Sequence, residues 1–152
     1  MSRPESEHGS VSRGGVKLAA AVERFAIDVA GLVCADLGCS TGGFTDCLLQ
    51  RGAAHVYAVD TAYGELAWKL RQDERVTVLE RTNALHAQPP DEDAHACGLV
   101  TVDLGWTKQQ QAIPAALRWL KNDDAAKVIT LIKPHYESGW HRLDEQQAAE
   151  VA

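Results

Sequence analysis

The chain has 152 residues and 16.5 kDa, 45% of it hydrophobic and 24% charged, the composition of one globular domain rather than of a disordered, collagenous or membrane-embedded protein. Asp and Glu (21) outnumber Lys and Arg (15), so the net charge is −6 and the pI near 5.4, which excludes a broad basic face for gripping nucleic acid and confines such contact to a local patch. No apolar run approaches the ~20 residues of a membrane span, the polar opening lacks a signal-peptide core, and Cys34, Cys39, Cys47 and Cys97 form no C-x-x-C pair or zinc-like spacing. These features predict a cytoplasmic protein without a metal site, whose cysteines are reduced and mostly buried.

Residues 1–11 read as a flexible tail, and residues 12–152 as one domain. From Ser12, the apolar residues Leu18, Val22, Phe25 and Val29 recur at helical spacing and predict a leading helix that ends at Gly31. Apolar runs then alternate with helical patterns. Leu32–Ala35 is followed by a glycine turn and a helix to about Gln50; His55–Val59 by a helix over Tyr63–Arg71; Val76–Leu79 by a Pro/Asp-rich loop. Gly98–Val102 precedes a helix to about Lys121, and Lys127–Ile132 precedes a helix from Leu143. Such alternation predicts an α/β fold, a mostly parallel sheet with helices on both faces.

Asp36, Asp60, Asn83, Asp103 and Lys133 each fall at or just past the end of a predicted strand, roughly 20 to 30 residues apart. Ligands of open α/β sheets bind along that edge, so the five residues are expected on one rim.

Asp36 opens the segment Asp-Leu-Gly-Cys-Ser-Thr-Gly-Gly-Phe-Thr-Asp, with Gly38, Gly42 and Gly43 where a ligand must approach backbone N–H groups at a helix start. The dinucleotide fingerprint is G-x-G-x-x-G; the spacing here is closer to the first motif of S-adenosylmethionine (SAM) methyltransferases, with NAD as the other reading. Asp60 stands near the ~20-residue distance at which an acid accepts hydrogen bonds from a nucleoside ribose, a role the glycine turn favours over the alternative of a helix N-cap for the segment from Tyr63.

Six segments carry a resemblance in order: Ser12–Leu18, Ser40–Asp46, Ala58–Asp60, Leu70–Val76, Glu80–Asn83 and Lys133–Glu137. Together they resemble the methyltransferase domain of the hemolysin-A-like (TlyA) proteins, of the FtsJ/RrmJ group of RNA 2′-O-methyltransferases. The resemblance implies a Rossmann-like, doubly wound fold with strand order 3-2-1-4-5. It implies methyl transfer from SAM to a ribose hydroxyl of ribosomal RNA, with RNA or a ribosomal subunit as partner. Of its Lys–Asp–Lys–Glu constellation, Lys17, Asp103 and Lys133 match, although Asp-Leu-Gly-Trp-Thr departs from the usual Asp-x-Ser-Phe. Cofactor contacts fall to Asp36, Gly38, Ser40, Thr41, Gly42, Gly43, Phe44, Asp60, Asn83 and Asp103.

The residue types support this chemistry independently. Lys17 stands in the first turn of its helix, where the macrodipole disfavours a cation, and Lys133 ends a strand beside Asp103's. Two lysines and a helix N-terminus close together ease loss of a proton from one ammonium, which can then take the proton of a ribose hydroxyl. Arg13 is a candidate phosphate contact. Trp106, Tyr136 and Trp140 are candidate base-stacking platforms, which require no overall positive charge. Phe44 is expected to pack beside the cofactor, Trp68 and Trp119 to lie in the core. Arg71, Arg75 and Arg81 interleave with Asp73, Glu74 and Glu80, which reads equally as phosphate contact or as a solvated mixed face. The competing functions are a SAM- or RNA-binding module without catalysis and a nicotinamide-dependent oxidoreductase.

A full sheet of this group has seven strands, whereas five are legible here. The last two strands and the closing Glu are therefore expected to be missing. Because Val128–Ile132 is apolar on both faces, its free edge is expected to be covered by further chain or by self-association.

Overall fold

The computed structural model describes residues 12–137. In chain order it contains α1 (Arg13–Arg24), β1 (Val33–Leu37), α2 (Gly43–Gln50), β2 (His55–Val59), α3 (Trp68–Arg71), β3 (Val76–Leu79), β4 (Leu99–Val102), α4 (Gln109–Leu117), β5 (Lys127–Thr130) and α5 (Pro134–Glu137), with a 3₁₀ turn at Asp93–His95. All four strand pairings are parallel and the order is β3-β2-β1-β4-β5, as the resemblance implies.

The period-2 alternation of β1 divides the core between the two faces of the sheet. Cys34 packs with Leu18, Val22, Leu48 and Leu70 on the side of α1, α2 and α3. Ala35 and Leu37 pack with Tyr57, Val100, Ala112, Ala116 and Trp119 on the side of α4. Buried Leu18 and Val22 fix α1 to the first face, each worth ~1.5–3 kcal/mol. All four cysteines are free and buried, and desolvation pushes their thiols up, leaving them as packing groups. Among the described residues, no helix is long and apolar enough to cross a membrane.

Several expectations are corrected. The leading helix stops at Arg24 instead of Gly31, and Ala26 adopts a left-handed backbone (φ +51°) that turns the chain. Val29 still reaches the core from the following loop, but Phe25 is 69% exposed. The helix expected over Tyr63–Arg71 is reduced to Trp68–Arg71. Asp60 takes the Ala62 N–H at 2.8 Å and Gly64 has φ +77°, so the chain cannot enter a helix before Ala67. Trp68 is consequently 73% exposed, whereas Trp119 is fully buried. The helix expected to reach Lys121 ends at Leu117, and β5 ends at Thr130. The tail over 1–11 and the helix from Leu143 lie outside the described residues. Phe25 and Ile27 border an apolar groove of about 630 Å³ against Lys127, Val128, Ile129 and Thr130 of β5, an outer strand of the described sheet.

Candidate active site

The site grows from the turn that follows β1. Gly38 and Cys39 both donate their N–H groups to the Val59 carbonyl, at 2.8 and 3.0 Å, so the turn is laid across the end of β2. Gly38 has φ +86°, and a Cβ there would stand 2.2 Å from the Asp103 carbonyl oxygen; only glycine lets β1 leave the sheet so close to the end of β4. A Cβ on Gly43 would stand 2.0 Å from Ser12 Oγ, so this glycine admits the start of α1 against the start of α2. Ser40, also left-handed (φ +49°), donates its N–H to Asp60 Oδ2 at 2.7 Å. The acid at the end of β2 therefore ties together the glycine turn and, through Ala62, its own loop.

Two clefts open along the carboxyl ends of the strands. The larger, about 550 Å³, is lined at one end by Asp60, Thr61, Thr82, Asn83 and Leu85, and at the other by Asp103, Trp106 and Lys133. The smaller, about 370 Å³, lies between the start of α1 and the turn, lined by Arg13, Lys17, Thr41, Gly43 and Phe44. Gly38, Ser40 and Asp103 border both. The clefts meet where Lys133 Nζ lies 2.7 Å from Asp103 Oδ1. That oxygen is enclosed and receives no well-aligned hydrogen bond, so the contact is an ion pair by distance rather than by direction. Lys17 and Arg13 are exposed on the α1 side of the same region.

Of the predicted cofactor residues, Gly38, Ser40, Thr41, Gly43, Phe44, Asp60, Asn83 and Asp103 line these clefts. Asp36 does not. It lies inside β1, fully buried, accepting hydrogen bonds from Thr45 Oγ1 at 2.7 Å and Thr101 Oγ1 at 3.1 Å. Burial raises its pKa to about 6, with the hydroxyl bonds opposing and the Asp103 charge adding to the rise. Asp36 braces the turn from below. Gly42 likewise faces inward, against Leu66 and Leu70. Trp106 is 79% exposed at the cleft mouth with φ +56°. Tyr136 belongs to α5, and Trp140 lies outside the described residues. Arg71 pairs with Glu80 and Arg75 with Asp73, while Arg81 sits 4.5 Å over the Tyr63 ring, a mixed charged face rather than a phosphate grip.

Sequence reasoning missed the residues that hold the walls. Glu80 accepts from Gly64 N–H and pairs with Arg71, whose Nε also donates to the Leu66 carbonyl, so two charged groups secure the loop where a helix was expected. Arg118 donates to the carbonyls of Ala84, Leu85 and Ala87, fixing the wall beside Asn83. Arg118 donates to main-chain carbonyls and Arg71 divides its guanidinium between Glu80 and the Leu66 carbonyl, so neither role shows as a simple pairing of charges in the sequence. Thr101 stands opposite Asp36 in the β1–β4 register, and that pairing becomes legible once the strands are aligned.

Residues 10–148 match the family model described as FtsJ-like methyltransferase. The chain is 49% identical over 135 residues to the 16S/23S rRNA (cytidine-2′-O)-methyltransferase TlyA of Mycobacterium tuberculosis, covering 89% of this chain and 49% of the relative. Among solved structures it is similar to a hemolysin-named protein from Streptococcus thermophilus (39% identity, TM-score 0.78, 88% of this chain and 48% of that one). A SAM-dependent methyltransferase from Mesorhizobium loti, at 20% identity and TM-score 0.54 over 67% of this chain and 47% of that one, shares the fold. The chain spans about half the length of the curated relatives it matches.

Proposed function

This chain belongs to the FtsJ-like methyltransferase family, and on that premise we propose that it transfers a methyl group from SAM to a ribose 2′-hydroxyl of ribosomal RNA, in the cytoplasm. The observation that carries the reading is the Lys133–Asp103 pair, which borders the larger cleft at its junction with the smaller.

The donor set of the larger cleft fits SAM. A carboxylate offers about four acceptor sites, and Asp60 spends two on Ser40 and Ala62, which leaves acceptors for the hydroxyls of a ribose. Asn83 uses Oδ1 on the Leu85 N–H, which leaves its amide N–H₂ for an adenine ring nitrogen. Gly38, Ser40, Thr41 and Gly43 of the turn line the clefts and would lie against the methionine end, the N–H groups of Gly38, Cys39 and Ser40 being already bonded within the fold. When bound, SAM supplies an electrophilic methyl group on a sulfonium sulfur.

A ribose hydroxyl is a weak nucleophile and must shed its proton as it attacks. The chain's task is to hold the hydroxyl oxygen about 3–3.5 Å from the methyl carbon and in line with the bond that breaks. Lys133 accepts or steers the departing proton, Asp103 holds the Lys133 amine in place, and Lys17 adds position and field from α1. Arg13, exposed at the smaller cleft, is assigned to a backbone phosphate, and the exposed Trp106 ring to stacking with a base, worth ~1–3 kcal/mol. Stacking suits a chain of net charge −6 better than a long electrostatic grip.

The test is transfer of a tritiated methyl group from SAM to ribosomal RNA by wild type and Lys133→Ala, with calorimetric titration of SAM and of NAD. Incorporation by wild type and its loss in the variant, with SAM binding retained, is the expected result. Equal incorporation by both removes Lys133 from the chemistry; SAM binding without transfer by wild type would mark a binding module; heat from NAD alone would mark an oxidoreductase.

A further inference from the structure

Glu137 closes the segment Lys133–Glu137, and the proposed chemistry uses only the lysine at its other end. Its carboxylate reaches back across the sheet: Oε1 accepts the backbone N–H of Gln109, the first residue of α4, at 2.8 Å. That N–H is one of the four a helix leaves without an internal partner, and a carboxylate is the ligand such a helix start favours.

The Gln109 side chain answers in the opposite direction. Its Oε1 accepts from Thr130 Oγ1 at 2.7 Å, and its Nε2 donates to the Leu131 carbonyl at 3.1 Å. The Leu131 N–H is already bonded to the Val102 carbonyl at 2.9 Å. Both main-chain polar groups of Leu131 are thus tied, one to β4 and one to α4. Lys133 lies between these two attachments, with Thr130 and Leu131 held before it and Glu137 after it, all on one residue of α4.

We propose that Gln109 and Glu137 are positioning residues for Lys133: the Gln109 side chain holds Thr130 and Leu131, Glu137 holds the Gln109 N–H, and the chain fixed on both sides of Lys133 sets its Nζ against Asp103. The inference rests on the reading of Lys133 as the residue that handles the proton. It explains why a surface helix begins with an amide side chain turned toward a strand end. The last three positions of β5 are only half-buried, so packing alone holds this end of the sheet less firmly than the buried strands β1 and β4. The amide can satisfy the Thr130 hydroxyl and the Leu131 carbonyl together because it carries both an acceptor and a donor. A carboxylate at position 109 would turn an oxygen toward the Leu131 carbonyl and open the lock.

The variants Gln109→Glu, Glu137→Ala, Glu137→Gln and Thr130→Val test this, each measured for SAM affinity, for kcat of methyl transfer to ribosomal RNA and for amide hydrogen exchange over residues 127–133. Gln109→Glu and Glu137→Ala are expected to lower kcat roughly tenfold or more while SAM Kd stays at the wild-type value, because a displaced proton acceptor costs rate and not cofactor binding. Glu137→Gln, whose oxygen accepts the same N–H, is expected to restore most of the rate. Thr130→Val keeps the shape of the strand and gives a second reading if Gln109→Glu fails to fold. Unchanged kcat in Gln109→Glu and Glu137→Ala, or a fall in SAM affinity in step with kcat, overturns the proposal. Should wild type transfer no methyl group, the functional reading fails separately; faster exchange over 127–133 in the same variants would still uphold the lock, and unchanged exchange would end it.

Discussion

The Ser40 N–H donates to Asp60 Oδ2 at 2.7 Å, joining the glycine turn after β1 to the end of β2 across twenty residues of chain. Asp60 is both a wall of the larger cleft and the clasp that shapes it. Asn at position 60 keeps the size but offers one acceptor oxygen where the carboxylate offers two, so either Ser40 or Ala62 loses its partner. Bonds to a charged acceptor are worth about 1.5–3 kcal/mol, which corresponds to a ten- to hundredfold weaker SAM Kd for Asp60→Asn. Calorimetry checks it, and an unchanged Kd removes Asp60 from the cofactor site.

Asp103 and Lys133 separate stability from chemistry. Each side chain is about one-third exposed, and ion pairs in that setting contribute ~0–1 kcal/mol. Asp103→Asn is therefore expected to leave the urea midpoint nearly unchanged while methyl transfer drops by at least tenfold. A large loss of stability would instead make Asp103 part of the scaffold.

The extent to which the site could be read from sequence follows from how each residue is held. Strand ends were legible because apolar runs stop where the sheet meets solvent, which located Asp60, Asp103 and Lys133 on one rim. Asp36 obeys the same spacing yet stays beneath the rim, because β1 continues through Leu37 and Thr101 lies opposite it. The two tryptophans expected in the core divide for a related reason. Trp119 is drawn in behind α4, but Trp68 begins a one-turn helix whose start is dictated by Asp60, Gly64 and Glu80. A helical pattern in the sequence cannot register a loop that is held open by a carboxylate from the neighbouring strand.

Gly38 should tolerate no side chain. Alanine there would meet the Asp103 carbonyl at 2.2 Å while holding φ +86°, a backbone region that costs of order 1–3 kcal/mol for a residue with a Cβ. Gly38→Ala is expected to destabilise the domain by at least that amount and to displace Asp103 with it. Chemical denaturation measures the first effect and residual methyl transfer the second; a stable, fully active variant contradicts the packing described.

Trp106 should matter to RNA alone. Its ring is exposed, and alanine keeps the Cβ and with it the cost of the left-handed backbone, so Trp106→Ala is expected to leave stability and SAM affinity nearly unchanged. RNA affinity should fall by about 1–3 kcal/mol, or roughly five- to hundredfold, in a binding titration. Unaltered RNA affinity would leave the exposed ring without a role.

Asp36 gives the protein a pH dependence of predictable sign. Burial raises its pKa from 3.8 to about 6, so between those values the folded state binds the proton more strongly than the unfolded state. The contribution is fully present below pH 4 and is lost as pH rises through 6. Above that, folding must hold a charge under the glycine turn at a cost of about 3 kcal/mol. Asn at this position carries no charge, and the hydroxyls of Thr45 and Thr101 can rotate to donate to its oxygen or accept from its amide. The difference in unfolding free energy between wild type and Asp36→Asn should therefore shift in favour of the variant by up to ~3 kcal/mol from pH 4 to pH 7.5, with most of the change between pH 4 and pH 6. Urea titrations of both proteins across that range isolate the term, since other carboxylates contribute equally to each. A constant difference would mean that Asp36 titrates normally, and that the two threonine bonds offset its burial.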